Sequence, residues 1–343
     1  MTGLIKIAVT MGDPGGIGPE TALKAVCHSK WPGSIRFILI GKKQVWLKYA
    51  RRLRLPRPAV CQDIKETGKN MISIWDPPPD AIPLPPGAGA KQTEWRAGKT
   101  GKSEGFFSLL WIRAAAAGCL DRTFSGMTTG PICKRSIQAA GCPFPGHTEY
   151  LAHLAGCRRT AMMLIGGPLR VVLVTTHLPL AAVPGALTRR NIIETADMAV
   201  LGVKWLNLRP KNIGICALNP HAGENGLLGN EERTMIAPAI RQLRRRGMAA
   251  EGPVPADAIF YQAMRNKFGA IVAMYHDQGL GPLKMIAFER GVNLTLGLPF
   301  VRTSPDHGTA FDIAGRKKAS PTSMIAAIKL AVRLAQRPNP WKR

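Results

Sequence analysis

Five short runs dense in β-branched and apolar residues constrain this chain more than any other feature. They lie at Ile5 to Thr10, Arg36 to Ile40, Arg170 to Thr175, Asn212 to Leu218 and Ala270 to Met274, with helix-length segments between them. Such alternation predicts an α/β fold with a mainly parallel sheet. A chain of 343 residues exceeds the usual span of one hydrophobic core, so two lobes are expected. No internal repeat or heptad interrupts the pattern. The stretch Asp76 to Gly89, rich in Pro, Gly and Ala, reads as an exposed loop.

The residues able to do chemistry sit just after these runs. Val171 to His177, Ile213 to His221 and Ala270 to His276 each end in a histidine. Ligands of open α/β sheets bind at the carboxyl ends of strands, so three imidazoles delivered to one edge are candidates for a shared site. Three neutral imidazoles without cysteine would make an open site for Zn²⁺ or a similar divalent ion; separate structural or acid–base histidines are the alternative. His28 and His153 lie in helical pattern and read as structural. Asp277, directly after His276, and Asp257 are placed to orient an imidazole or take a proton, or, for Asp257, to start a helix.

Glycine-rich segments raise nucleotide readings, which fail on spacing. Ala97 to Ser103 lacks the glycine a P-loop requires, because Thr93 and Arg96 occupy the two possible positions. No Gly-x-Gly-x-x-Gly occurs either, so a nicotinamide cofactor would have to be held without the Rossmann fingerprint. Met11-Gly-Asp-Pro-Gly-Gly-Ile-Gly-Pro-Glu20 follows the first strand and is either a phosphate or substrate loop or a tight βα turn. Lys284, Asn293 and Arg302 recur at nine-residue spacing, and Arg302 beside Thr303 and Ser304 is a suitable element for a phosphate or carboxylate.

Composition narrows the class. Apolar residues make up 45% and charged residues 20%, and no apolar run reaches the roughly 18 residues of a membrane helix. Met1 to Thr10 is too short and strand-like for a signal peptide, so a cytoplasmic protein is expected. The seven cysteines are scattered and form no Cys-x-x-Cys pair, which predicts reduced thiols. The unusual quantity is charge: 47 Lys and Arg against 21 Asp and Glu give +26. Residues 257–315 carry five bases and five acids, whereas 1–146 carry 21 bases and 9 acids. The basic clusters Arg51 to Arg54 and Arg241 to Arg246 have no interleaved aromatics, which disfavours nucleic acid and favours solvated helix faces.

Taken together, Gly12 to Glu20, Thr129-Gly-Pro-Ile-Cys-Lys134, Pro145-Gly-His-Thr-Glu-Tyr-Leu151, Thr175-Thr-His-Leu-Pro179, Leu218-Asn-Pro-His-Ala-Gly-Glu224, Tyr275-His-Asp-Gln-Gly279 and Thr303-Ser-Pro-Asp-His-Gly-Thr-Ala310 closely resemble the 4-hydroxythreonine-4-phosphate dehydrogenases of pyridoxal 5′-phosphate biosynthesis. The resemblance runs in order from residue 5 to about residue 335. It implies an isocitrate/isopropylmalate dehydrogenase-like α/β fold of two α/β/α lobes with the active site in the cleft. The implied lobes are 1–128 with 293–343 on the cofactor side, and 129–292 on the metal and dimer side. The implied assembly is a homodimer with shared active sites.

Carried over by motif, His177, His221 and His276 would bind one divalent ion, Zn, Mg or Co. His147, Thr148, Lys284, Asn293 and Arg302 would contact a small phosphorylated substrate, and Asp277 and Lys284 are the candidates for proton transfer. The segment from His307 to Gly315 is similar to the adenosine-holding loop of isopropylmalate dehydrogenases, so His307, Gly308 and Asp312 would hold NAD or NADP. The implied reaction is oxidation of 4-phosphohydroxy-L-threonine at its 3-hydroxyl, followed by decarboxylation. Relatives acting on D-threonate or D-erythronate 4-phosphate, or on cyclic dihydrodiols, supply the alternative substrates. The chain departs from the family at Arg316-Lys-Lys-Ala-Ser320, where Ser320 replaces an acid and three cations suit a 2′-phosphate, leaving NAD and NADP both open. Cys133 also replaces a small polar residue.

Overall fold

The computed structural model describes residues 3–28, 30–79 and 95–342. In chain order the elements are β1 (Ile5–Thr10), α1 (Gly18–His28), β2 (Ile35–Ile40), α2 (Lys43–Leu53), β3 (Ala59–Cys61), β4 (Ile72–Trp75), α3 (Lys102–Leu120), β5 (Gly126–Thr129), α4 (Lys134–Ala139) and α5 (His147–Leu154). They continue with β6 (Ala161–Gly166), β7 (Leu169–Leu173), α6 (Val183–Ala186), α7 (Arg189–Leu206), β8 (Ile213–Cys216), α8 (Ala237–Arg245), β9 (Ala250–Val254), α9 (Ala256–Met264), β10 (Ala270–Ala273), α10 (His276–Ala287), β11 (Val292–Leu296), β12 (Val301–Pro305) and α11 (Thr322–Ala335). All five strand runs legible in the sequence are strands. The expected loop at Asp76 to Gly89 falls from residue 80 onward outside the described residues.

The chain divides into two compact units, Met1–Arg159 with Leu298–Arg343, and Thr160–Gly297. The lobe boundaries expected from the sequence differ from these at residues 129–159 and 293–297. Residues 129–159 join the first unit because α4 and α5 pack on α3.

In the first unit the strand order is β3-β4-β2-β1-β5-β12, with every neighbouring pair parallel. The chain runs outward from β1 through β2, then returns to β5 on the other side of β1. That reversal creates a switch point at the carboxyl ends of β1 and β5, where loops diverge and leave room for a ligand. Beneath it lies α3, buried along nearly its whole circumference from Ser103 to Cys119, which explains its lack of a polar stripe.

In the second unit the order is β11-β6-β7-β10-β8-β9. The β11–β6 and β6–β7 pairs are antiparallel; β7, β10, β8 and β9 pair in parallel. Val171, Leu173, Ile271 and Ala273 from the central strands form a core with Ile259, Phe260, Phe268, Leu280 and Leu283 from the flanking segments. All seven cysteines are free thiols. No helix among the described residues is long and apolar enough to cross a membrane.

The core of the second unit sets its stability. Ile271→Ala, at a position 1% exposed on the central strand β10, is expected to cost about 2–5 kcal/mol through lost burial and a residual cavity. Urea denaturation followed by circular dichroism should show the lower midpoint.

Candidate functional site

In the second unit the three histidines occupy the carboxyl ends of three adjacent parallel strands. His177 follows β7, His276 opens α10 after β10, and His221 follows β8. The rings of His177 and His276 lie 5.8 Å apart, centroid to centroid. Asp277 Oδ1 is 2.7 Å from His276 Nδ1, which engages that nitrogen and leaves Nε2 as the one that could take a ligand. Metal-binding imidazoles are commonly held this way by a carboxylate.

The strand ends are tied together by side chains. Thr175 donates through Oγ1 to the Met274 carbonyl at 2.8 Å, linking the ends of β7 and β10. The buried Gln278 accepts from the Met274 N–H at 2.7 Å and donates to the Ala217 carbonyl at 2.7 Å, linking β10 to β8. Glu232 organises the approach to His221 by accepting the N–H groups of Leu218 and Asn219, each at 2.8 Å, and the Asn219 amide at 2.9 Å. Burial would raise the Glu232 carboxyl, but these donors outweigh it and hold it below the usual range.

His221 itself begins five consecutive left-handed residues, with φ of 50°, 56°, 79°, 41° and 57° from His221 to Asn225. Four of these are not glycine, so the turn costs about 1–2 kcal/mol at each. Backbone strain of this kind persists where surrounding contacts over-determine it, and it clusters at functional sites.

The residues fit a metal centre in donor chemistry, since neutral imidazoles suit Zn²⁺ and similar ions. Among the described residues of one chain, however, no three His, Cys, Asp or Glu side chains come close enough to hold an ion together. The structure therefore brings together His177 and His276, with His221 on the neighbouring strand end. Lys284 lies two turns further along α10, its Nζ 5.5 Å from the centroid of the Phe288 ring. Asn293 is on β11 opposite Leu164, with its Oδ1 buried and unpartnered.

The first unit carries the other substrate and cofactor candidates. Arg302, on β12, is 2% exposed and donates through Nη2 to Thr129 Oγ1 at 2.7 Å. Burial pushes its guanidinium down to about 10, while Glu149 acts in the opposite direction. His147, the first residue of α5, has a buried Nε2 without a partner. Burial, and then the Arg302 charge, hold it well below the usual histidine range, so its imidazole is neutral. Thr148 lies beside it in the same first turn.

His307, Gly308 and Asp312 follow β12. His307 Nδ1 lies 3.0 Å from the Gly308 carbonyl, and Asp312 is exposed. Their segment is clasped by groups that sequence reasoning missed. The buried Glu20 accepts from Lys24 Nζ at 2.7 Å and from the Ala319 N–H at 3.0 Å. Lys24 also donates to the carbonyls of Lys317 and Ala319, at 3.0 and 2.8 Å, and Arg52 donates to the Gly315 carbonyl at 2.8 Å. Arg316, Lys317 and Lys318 remain exposed.

The glycine loop after β1 packs closely on neighbouring backbone. A Cβ on Gly12, whose φ is +71°, would lie 2.3 Å from the Pro131 carbonyl oxygen; one on Gly15 would lie 1.8 Å from that of Lys99. The loop also bonds to Thr309 through the Ile17 N–H at 2.9 Å. It thus joins the segments after β5, before α3 and after β12. At its centre Asp13 is fully buried, accepts from the Gly15 N–H at 2.9 Å and accepts a hydrogen bond from Thr100.

Of the residues read as structural, Asp257 and His153 make contacts of that kind. Asp257 sits in the first turn of α9 and accepts from the Ala258 N–H at 3.0 Å. The ring of His153 packs 4.8 Å from that of Phe144. Glu232, Gln278, Glu20 and Lys24 carried no chemical signature in the sequence, although Glu20 and Gln278 lie inside motifs singled out there.

Burial raises the Asp13 carboxyl to about 6, against the lowering effects of Thr100 and Gly15. The folded state therefore holds this proton more tightly than the unfolded chain. The resulting cost is fully present above about pH 6 and disappears as the pH falls toward the unfolded value near 3.8. Asp13→Asn is accordingly expected to stabilise the protein at pH 8 by about 1–3 kcal/mol and to lose that advantage by about pH 4. Urea midpoints of both proteins across this range check it; a difference independent of pH would contradict the assignment.

The pyridoxal phosphate biosynthetic protein PdxA family model matches residues 34–331. A 4-hydroxythreonine-4-phosphate dehydrogenase of Geobacter metallireducens is 39% identical over 335 residues, covering 96% of each chain. The D-threonate 4-phosphate dehydrogenase of Cupriavidus necator is 38% identical over 340 residues, 96% of this chain and 97% of its own. Among solved structures, a 4-hydroxythreonine-4-phosphate dehydrogenase from Klebsiella pneumoniae superimposes with a TM-score of 0.83 at 36% identity, covering 98% of this chain and 99% of its own.

Proposed function

The chain belongs to the PdxA family, and from that premise we propose that it oxidises 4-phosphohydroxy-L-threonine at its 3-hydroxyl. The C3 hydride passes to NAD(P)⁺ and the hydroxyl proton to a base. The product, 2-amino-3-oxo-4-phosphooxybutanoate, loses CO₂ to give 3-amino-2-oxopropyl phosphate in the route to pyridoxine 5′-phosphate. The observation that carries this reading is the set of His177, His276 and His221 on three adjacent parallel strand ends, with His276 oriented by Asp277.

A divalent ion held by these histidines would acidify the substrate hydroxyl and favour the enolate formed on decarboxylation. The rest belongs to the chain's own side chains. Asp277 has one carboxylate oxygen engaged with His276, which supports an orienting role. Lys284, half-buried on the same helix, is then the better proton carrier. Arg302 binds a phosphate or carboxylate oxygen of the substrate, with Thr129 fixing the guanidinium. His147 and Thr148 add neutral hydrogen bonds, and the unpartnered Asn293 Oδ1 accepts one from a substrate hydroxyl or ammonium.

On the cofactor side, His307, Gly308 and Asp312 hold the adenosine half. The clasp formed by Glu20, Lys24 and Arg52 keeps the following turn in place. Its three exposed cations favour NADP over NAD by offering partners to the 2′-phosphate. The free cysteines accord with a cytoplasmic location.

The active form is a homodimer whose sites are completed by the partner. One observation supports it: the end of α10 next to Lys284 exposes Met285 by 83%, with Phe288 after it exposed by 73%. Exposed apolar groups of that size mark association surfaces. The double variant Met285→Glu, Phe288→Glu is expected to run as a monomer in light scattering and to lose activity at least 10-fold. A variant that stays dimeric and active contradicts this interface.

NADPH or NADH formation from 4-phosphohydroxy-L-threonine tests the activity itself. EDTA should abolish it and Zn²⁺, Mg²⁺ or Co²⁺ should restore it; His276→Ala should lower kcat at least 100-fold. Activity surviving complete metal removal would refute the histidine assignment. The Cupriavidus relative favours D-threonate 4-phosphate as the second reading, and a higher kcat/KM for that compound would replace the first.

A further inference from the structure

The basic run Arg241 to Arg246, which the proposed reaction does not use, lines a cleft within the second unit. Its walls are Arg189, Pro238, Arg241, Gln242 and Arg245, and its volume is about 250 Å³. Pro238, Arg241, Gln242 and Arg245 follow one another at i, i+3, i+4 and i+7 on α8, so they share a face. The opposite stripe of that helix, Ala239, Ile240 and Leu243, is buried. Arg189 is the first residue of α7, which packs against α8.

The arginines of this region fall into two groups. Arg190 pairs with Glu194 at 2.7 Å, Arg246 lies 3.6 Å from Asp197, and Arg244 Nε donates to the Ala250 carbonyl at 2.8 Å. Those three have structural partners. The side chains of Arg189, Arg241 and Arg245 make no hydrogen bond or ion pair among the described residues, and these three are the arginines lining the cleft. No carboxylate lines it.

This arrangement is unfavourable while empty of negative charge. Arg241 and Arg245 are like charges one turn apart, which repel. Arg189 puts a cation at the positive end of an 18-residue helix whose first turn holds no acid. An anion in the cleft removes both penalties and gains bidentate hydrogen bonds from planar guanidinium groups.

We propose that this cleft is a binding site for a compact polyphosphate group, a pyrophosphate or the diphosphate of a nucleotide. Three guanidinium groups converging on one concavity suit adjoining phosphoryl groups carrying several charges. The volume is below the range typical of whole drug-sized ligands, so the nucleoside portion of a nucleotide lies outside it. The absence of an aromatic residue from the lining removes the stacking platform that single-stranded nucleic acid uses. The site is independent of the dehydrogenase reading.

Isothermal titration of the dimeric or monomeric protein, as it exists in solution, tests the proposal with pyrophosphate, ADP, orthophosphate and a single-stranded oligonucleotide. Pyrophosphate and ADP should each bind one site per chain that is weakened at least 10-fold in Arg241→Gln, Arg245→Gln, and in Arg189→Gln. Orthophosphate should bind at least 10-fold more weakly than pyrophosphate at that site. Pyrophosphate binding better than ADP identifies the free anion as the ligand, and the reverse identifies a nucleotide. Equal pyrophosphate affinity in the wild type and the variants overturns the proposal, as does tight binding confined to the oligonucleotide. Melting temperatures unchanged in the variants exclude loss of fold, and Arg241→Lys, Arg245→Lys should restore part of the affinity because charge remains without the bidentate fork.

Discussion

Two buried side chains, Thr175 and Gln278, bind together the carboxyl ends of the three strands on which the candidate site depends. Backbone pairing continues past β7 and β10, where the Val174 and Thr175 N–H groups donate to the Ala273 and Met274 carbonyls, and the two side chains add further ties at that edge. Thr175 closes the gap between β7 and β10, and Gln278 bridges β10 to β8 with both ends of its amide. A buried amide left without such partners costs about 1–3 kcal/mol for each group. The ties therefore do more than stabilise: they set the separation of the backbone points from which His177, His276 and His221 project.

The first unit applies the same economy of backbone groups with carboxylates. Asp13 collects the glycine loop, and Glu20 collects the turn after β12 together with Lys24. Burying a carboxylate is unfavourable unless donors surround it. Asp13 retains part of that cost, which is why its proton is held to about pH 6. Both carboxylates come from one strand–loop–helix stretch, β1 to α1, so a single segment of about 16 residues organises the switch point and the candidate cofactor turn.

The parts of this arrangement visible in the sequence are those encoded locally. A run such as Ala270-Ile-Val-Ala declares a buried strand, and a histidine just beyond it declares its position at the strand's end. Strands β11 and β12 were harder to see, because Asn293 and Arg302 interrupt short runs flanked by Gly and Pro; only their pairing with β6 and β5 makes them strands. The positioning groups could not be seen at all. Glu20 meets the Ala319 N–H across 299 residues and Gln278 meets Ala217 across 61, and nothing near either residue announces its partner. The left-handed turn at His221 was likewise hidden, since four of its five residues have side chains that ordinarily avoid that conformation. The glycine loop, by contrast, announces its close packing, because the space a side chain would need is filled by neighbouring backbone.

Strand-end ties fix the backbone positions from which the three candidate metal-binding histidines project. Co²⁺ titration of the wild type and Gln278→Leu, read by the visible absorption of the bound ion, tests this most directly. Loss of the bridge between β10 and β8 should weaken Co²⁺ binding about 10–100-fold, with the far-ultraviolet circular dichroism unchanged. Equal affinity and an equal spectrum in the two proteins would contradict the account.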